Sequence, residues 1–153
     1  VAPWQTLWYD KKVKRYFLLV FGLILTALPA QEQTLETLIQ EHRTALGFVR
    51  LGLSDRLSQS ATEYARKLAQ LGYLTHRDEF HRGPEHRASV MGIGTAGEIL
   101  GLAGNAVEVF RSWLNSPGHK RVLDGPHWTR YGIGRAVWRS STIFVVIFWY
   151  PAS

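Results

Sequence analysis

The stretch Trp113-Leu114-Asn115-Ser116-Pro117-Gly118-His119 decides how this chain is read. An apolar helical run stops at Leu114 and a new helix is announced at once. Ser116 is a good N-cap and Pro117 suits the first helical position, which sets His119 in the first turn. The partial positive charge of a helix N-terminus disfavours the imidazolium, so His119 is predicted neutral, the form that binds metals or accepts protons. A cap serine is expected to spend its hydroxyl on backbone amides, which argues against a Ser116–His119 nucleophile pair.

Outward from this stretch, residues 105–114 read as a helix burying Val107, Phe110, Trp113 and Leu114, and Glu108 falls on its exposed face. Before it lies Gly97-Glu98-Ile99-Leu100, a short apolar segment with one carboxylate, either facing solvent or buried against a partner. After it, Leu123-Asp124-Gly125-Pro126 is a turn. Residues 131–138 are strand-like, with Gly132 and Gly134 permitting close backbone approach. Arg139 to Ser141 turns the chain into residues 143–150, IFVVIFWY, which are apolar on both faces and so predict a central strand covered by helices.

Nearer the N-terminus, Leu35, Leu38, Ile39, His42 and Leu46 share one face of a helix that Gly47 ends. His42 is expected at the core edge, bonded to a carbonyl. Ser54 opens a second helix whose buried face carries Leu57, Ala61, Tyr64, Ala65, Leu68 and Leu71, and Gly72 caps it. His76 follows directly, delivered from the end of a well-anchored element. Residues 77–96 have no sustained period and read as a long connection with one short helix over 84–90, with His81 and His86 solvated. Helices first and a terminal hairpin last predict an α+β fold, a mainly antiparallel sheet between helical layers.

The 153 residues suffice for one domain with a real core. Of the net charge of +6, half belongs to the first 30 residues, where Lys11, Lys12, Lys14 and Arg15 stand against Asp10. The rest carries no Lys/Arg stripe, which argues against nucleic-acid binding and leaves only weak attraction to anionic surfaces. There is no cysteine, so any metal must use histidine and carboxylate. Residues 11–30 read as a basic run, an apolar core and small residues: a secretory leader over 1–30, cleaved near Ala30 or kept as an anchor, ahead of a domain over 31–153.

Leu-Thr-His at 74–76, Gly-Glu-Ile-Leu at 97–100, Ala-Val-Glu-Val-Phe-Arg-Ser-Trp-Leu-Asn-Ser-Pro-Gly-His at 106–119 and Tyr-Gly-Ile-Gly at 131–134 resemble the ordered motifs of bacterial SCP/CAP domains. This is the superfamily of cysteine-rich secretory, antigen 5 and pathogenesis-related 1 proteins. The resemblance implies a three-layer α/β/α sandwich with a cleft lined by His76, Glu98 and His119. It also implies an extracytoplasmic location, secreted, periplasmic or at the cell envelope. Members with a full tetrad carry a second glutamate soon after the tryptophan matching Trp113; here residues 114–118 contain no acid. The usual Gly-Glu-Asn is Gly97-Glu98-Ile99.

Three functions are compatible with that cleft. The first is a binding module in which His76 and His119 hold Zn²⁺ with an open coordination position and a small hydrophobic ligand, lipid or cell-envelope component is taken up. The second is a hydrolase with Glu98 as general base, aided by His119 or a metal-bound water. The third is an interaction domain whose His-Glu-His network serves packing alone.

Overall fold

The computed structural model describes residues 33–92 and 96–151; the leader expected over residues 1–30 lies outside them. Along the chain come α1 (Leu35–Ala45), β1 (Gly52–Leu53), α2 (Asp55–Leu71), α3 (Pro84–Val90), β2 (Ala96–Ala103), α4 (Ala106–Leu114), α5 (Pro117–Leu123), β3 (Arg130–Trp138) and β4 (Ser141–Trp149). The sheet order is β1-β3-β4-β2, with β1 parallel to β3 and the other pairings antiparallel. The expected α+β sandwich with a mainly antiparallel sheet is what forms.

Local chemistry sets the helix ends. The Thr34 hydroxyl accepts the Thr37 amide at 3.2 Å and opens α1. Ser54 does the same for Leu57 at 3.4 Å. Gly72, at φ +78°, ends α2 in the left-handed conformation that glycine adopts without a Cβ penalty. At α4 the arrangement is reciprocal: the Glu108 amide donates to Asn105 Oδ1 at 2.9 Å, and the Glu108 carboxylate accepts the Gly104 amide at 3.0 Å. Glu108 is thus exposed and fully occupied by its own helix, as the sequence suggests.

β4 divides two cores because its side chains alternate. Phe144, Val146 and Phe148 pack with Leu35 and Ile39 of α1, Val109, Phe110 and Trp113 of α4, and Leu123 of α5. Ile143, Val145 and Ile147 point the other way, onto Leu57, Ala61, Tyr64, Ala65 and Leu68 of α2. The stripe that α4 buries is Val109, Phe110 and Trp113; Val107 and Leu114, expected there, are only half-buried, because Val109 stands one turn before Trp113 on the same face. A Cβ on Gly132 would strike the backbone of Leu57 and Ser58, and one on Gly134 that of Ala61 and Thr62. These two glycines let α2 lie directly on β3.

Two buried polar residues of α1 extend the apolar contacts. Gln40 donates to the Leu51 carbonyl at 2.8 Å and accepts the Leu51 amide at 3.0 Å, fixing the chain that enters β1. Arg43 is 1% exposed and gives Nη1 to the carbonyls of Leu123 and Gly125, at 2.7 and 2.8 Å, satisfying backbone at the end of α5. His42 meets a carboxylate rather than the expected carbonyl: its Nε2 lies 2.7 Å from Asp124 Oδ1, because α5 ends with Asp124 beside α1.

Candidate functional site

Glu98 is the hub of the site. It lies on β2, the edge strand beside β4, and faces α2 and α3. The preceding residue must be glycine for a reason on the opposite face: a Cβ at Gly97 would come within 2.8 Å of the Trp128 ring. Gly101 is similarly pressed by Val109 and by Trp113, whose indole N–H donates to the Leu100 carbonyl at 2.8 Å. The helical layer on one face therefore fixes the strand that presents Glu98 to the other.

The Glu98 side chain is fully buried and both its oxygens are taken. Oε1 is 2.9 Å from His76 Nδ1. Oε2 pairs with the Arg87 guanidinium, which α3 supplies. That guanidinium lies over the Tyr64 ring at 3.7 Å and also donates to the His76 carbonyl at 3.3 Å. The Tyr64 hydroxyl donates to the Thr75 carbonyl at 2.7 Å. Three elements therefore converge on the segment carrying His76. A buried carboxylate requires such matching, since an unpaired one would be strongly destabilising.

His76 is half exposed, and its Nε2 has no partner among the described residues while Nδ1 engages Glu98. A cavity of about 360 Å³ opens beside it, lined also by Glu98, Gly97, Pro84 and Glu85. His119 is set by α5. Its Nδ1 is 2.9 Å from Ser116 Oγ, and its ring lies 6.5 Å from that of Trp113, centroid to centroid. Burial first, and then the charge of His76, hold His119 below the usual histidine range. The structure thus joins His76 and Glu98 directly, while His119 is coupled to His76 through charge.

One expectation fails here. Ser116 has the extended backbone of an N-cap, but its hydroxyl makes no capping bond and goes to His119 instead. Three residues along a helix place the imidazole over the cap hydroxyl, which bonds His119 Nδ1 and not the Gly118 or His119 amide. That spacing was the readable signal for the pair. Nothing comparable marks Arg87 or Tyr64: Arg87 stands eleven residues from Glu98 and reaches it through a loop of no regular period.

The family resemblance implies zinc, and the donors test that. His76 and His119 each engage Nδ1 with an oxygen, and among the described residues neither Nε2 has a partner, the arrangement by which ligating imidazoles are oriented. Glu98 is spent on Arg87 and His76, so it would act from behind His76 rather than as a ligand. Among the described residues no group of three or more histidines and acids could hold a metal ion. A metal here would draw on at most two protein nitrogens, those of His76 and His119, its remaining positions left to solvent or ligand.

Comparison with known proteins agrees with this architecture. Residues 37–148 match the model of the CAP family, described as the cysteine-rich secretory protein family. The chain is 27% identical over 112 residues to the uncharacterized protein YkwD of Bacillus subtilis strain 168, covering 71% of this chain and 44% of that protein's length. Among solved structures, an outer surface protein from Borrelia burgdorferi superposes with a TM-score of 0.71 at 31% identity, over 77% of this chain and 90% of that one. An extracellular protein containing an SCP domain from Bacillus anthracis str. Ames gives 0.66 at 19% identity, over 75% of this chain and 38% of that one. The motifs, the sandwich and these matches converge, and the chain belongs to the CAP family of cysteine-rich secretory proteins.

Proposed function

We propose that this CAP domain is an extracytoplasmic binding module whose cleft takes a metal ion, Zn²⁺ in the first place, and with it a small hydrophobic, lipid or cell-envelope ligand. The reading rests on one observation: His76 lines a cavity, is held by a buried carboxylate, and its outer nitrogen has no partner among the described residues. His119, held by Ser116 and kept neutral by burial, is the second donor. A bound Zn²⁺ would supply Lewis acidity to a carbonyl or phosphoryl oxygen of the ligand. The cavity, at about 360 Å³, lies in the range of small-ligand sites.

An outer surface protein and an extracellular protein among the similar structures support a location outside the cytoplasm. Among the described residues no helix is long and apolar enough to cross a membrane. The basic and apolar leader over residues 1–30 fits export, with the mature chain beginning near Gln31.

Calorimetric titration with Zn²⁺ tests the metal reading. His76→Ala and His119→Ala should each weaken binding, and Glu98→Gln should weaken it by roughly 10- to 100-fold as an orienting partner does. Unchanged affinity in both histidine variants would sink the site. A second reading has its own support, because a carboxylate with both oxygens engaged also serves packing. It predicts that Glu98→Gln lowers stability while no metal or ligand is found.

A further inference from the structure

On the face of the sheet that carries Glu98, a second and larger hollow of about 560 Å³ lies between α2 and α3. Its first wall is the polar side of α2. Arg56, Gln59, Glu63 and Lys67 recur at steps of three and four, with Ser60 beside Gln59, so they form one helical row about 16 Å long at 1.5 Å per residue. The facing wall is made by Arg82 from the loop and by His86 and Arg87 from α3. Of the four lining cations, Lys67 pairs with Glu79, Arg82 with Asp78 and Arg87 with Glu98, while Arg56 has no ion-pair partner among the described residues.

The cationic wall is built rather than loose. The Asp78 carboxylate accepts the amides of Phe80 and Arg82, both at 2.9 Å, and holds Arg82 Nε at 2.7 Å. The Phe80 ring supports the same guanidinium at 4.5 Å. The Arg82 guanidinium is therefore aimed by two groups, the Asp78 carboxylate and the Phe80 ring, yet its two terminal nitrogens have no partner among the described residues. Deeper in, Arg87 Nε is buried and also unpartnered. On the opposite wall the Gln59 amide donates to Glu63 Oε1 at 3.0 Å, and the Gln59 carbonyl, the second Glu63 oxygen and the Ser60 hydroxyl belong to residues lining the same wall.

An oriented guanidinium with two free donors matches a phosphate, which accepts them in parallel. A wall of carbonyl, carboxylate and hydroxyl groups matches the hydroxyls of a sugar or polyol. We propose that the α2–α3 groove is a second binding site, separate from the histidine cleft, that takes a phosphorylated sugar, its phosphate on Arg82 and its hydroxyls along Gln59, Ser60 and Glu63. The size agrees, since 560 Å³ lies in the range of small-ligand sites and the length exceeds a single phosphate.

Titration with N-acetylglucosamine 1-phosphate, followed by amide shifts in NMR spectra, tests this beside inorganic phosphate and unphosphorylated N-acetylglucosamine. Saturable binding of the sugar phosphate is expected, tenfold or more tighter than either fragment. Arg82→Gln should weaken it at least tenfold. Glu63→Gln should weaken it severalfold while leaving inorganic phosphate unaffected, and His76→Ala should change nothing. Both groove positions are exposed, so the variants fold, and circular dichroism checks this. No saturable binding overturns the proposal, as does binding that survives both groove substitutions. Loss of binding in His76→Ala would place the ligand in the histidine cleft and overturn it equally.

Discussion

Arg87 does more at the residue scale than its place in an irregular stretch suggests. Its charge is consumed by Glu98 and its flat face by Tyr64, so a single side chain ties α3, α2 and β2 together behind His76. Arg87→Met would leave a buried carboxylate facing only an imidazole. Breaking one side of a buried pair costs about 3 to 5 kcal/mol. Chemical denaturation should show a loss of that order for Arg87→Met, and Arg87→Met with Glu98→Gln should lose less than the two single effects combined. Additive losses would mean the two side chains do not interact. His76 and Glu98 were both legible as candidates from sequence, but the partner that decides how Glu98 behaves was not. No local pattern connects residue 87 to residue 98; only the fold does. The same pairing weakens Glu98 as a general base, because neither oxygen is free to take a proton from substrate or water.

Elements in this chain are positioned by where side chains are missing. Gly134 has the backbone of Ala61 and Thr62 against the space a Cβ would fill, whereas Gly118 in α5 has nothing within 4 Å. The two should respond oppositely to alanine. Gly134→Ala is expected to cost about 3 kcal/mol or more, since overpacking here must move helix against strand. Gly118→Ala should stabilise by about 0.5 kcal/mol through helix propensity. Thermal and denaturant melts of the pair decide this, and equal effects would mean that α2 does not rest on β3 as described. Helix boundaries were readable in advance because Thr34, Ser54, Asn105 and Gly72 act within their own turns. β1 was not. It has only two residues, both exposed, and it exists through parallel pairing with β3 and the hold of Gln40 on Leu51. Such an element has no periodicity to read.

Taken as a whole molecule, the domain has two apolar cores that share one strand. Phe144, Val146 and Phe148 serve one, and Ile143, Val145 and Ile147 the other, so neither helical layer can leave without exposing β4. Unfolding should therefore be a single cooperative step. Tryptophan fluorescence, which samples Trp113 in one layer and Trp138 in the other, should change with the same midpoint as far-UV circular dichroism. Two separated midpoints would show that the layers are independent. This architecture was legible from the doubly apolar run over residues 143–150 and from the glycines facing α2. The buried Gln40 and Arg43 were not, because both flank the apolar stripe of α1 at positions that read as solvent-facing.

The bond between Ser116 and His119 gives the cleft a changeable sign. A hydroxyl both gives and accepts, and a neutral imidazole carries its one proton on either nitrogen. When Ser116 accepts, the outer nitrogen of His119 is a lone pair and that spot invites a cation. When Ser116 gives, that nitrogen bears the hydrogen and the same spot welcomes an anion or a carbonyl oxygen. The turn of one hydroxyl, spent on His119 and not on the amides of its own helix, thus lets the first arrival choose the polarity of that spot.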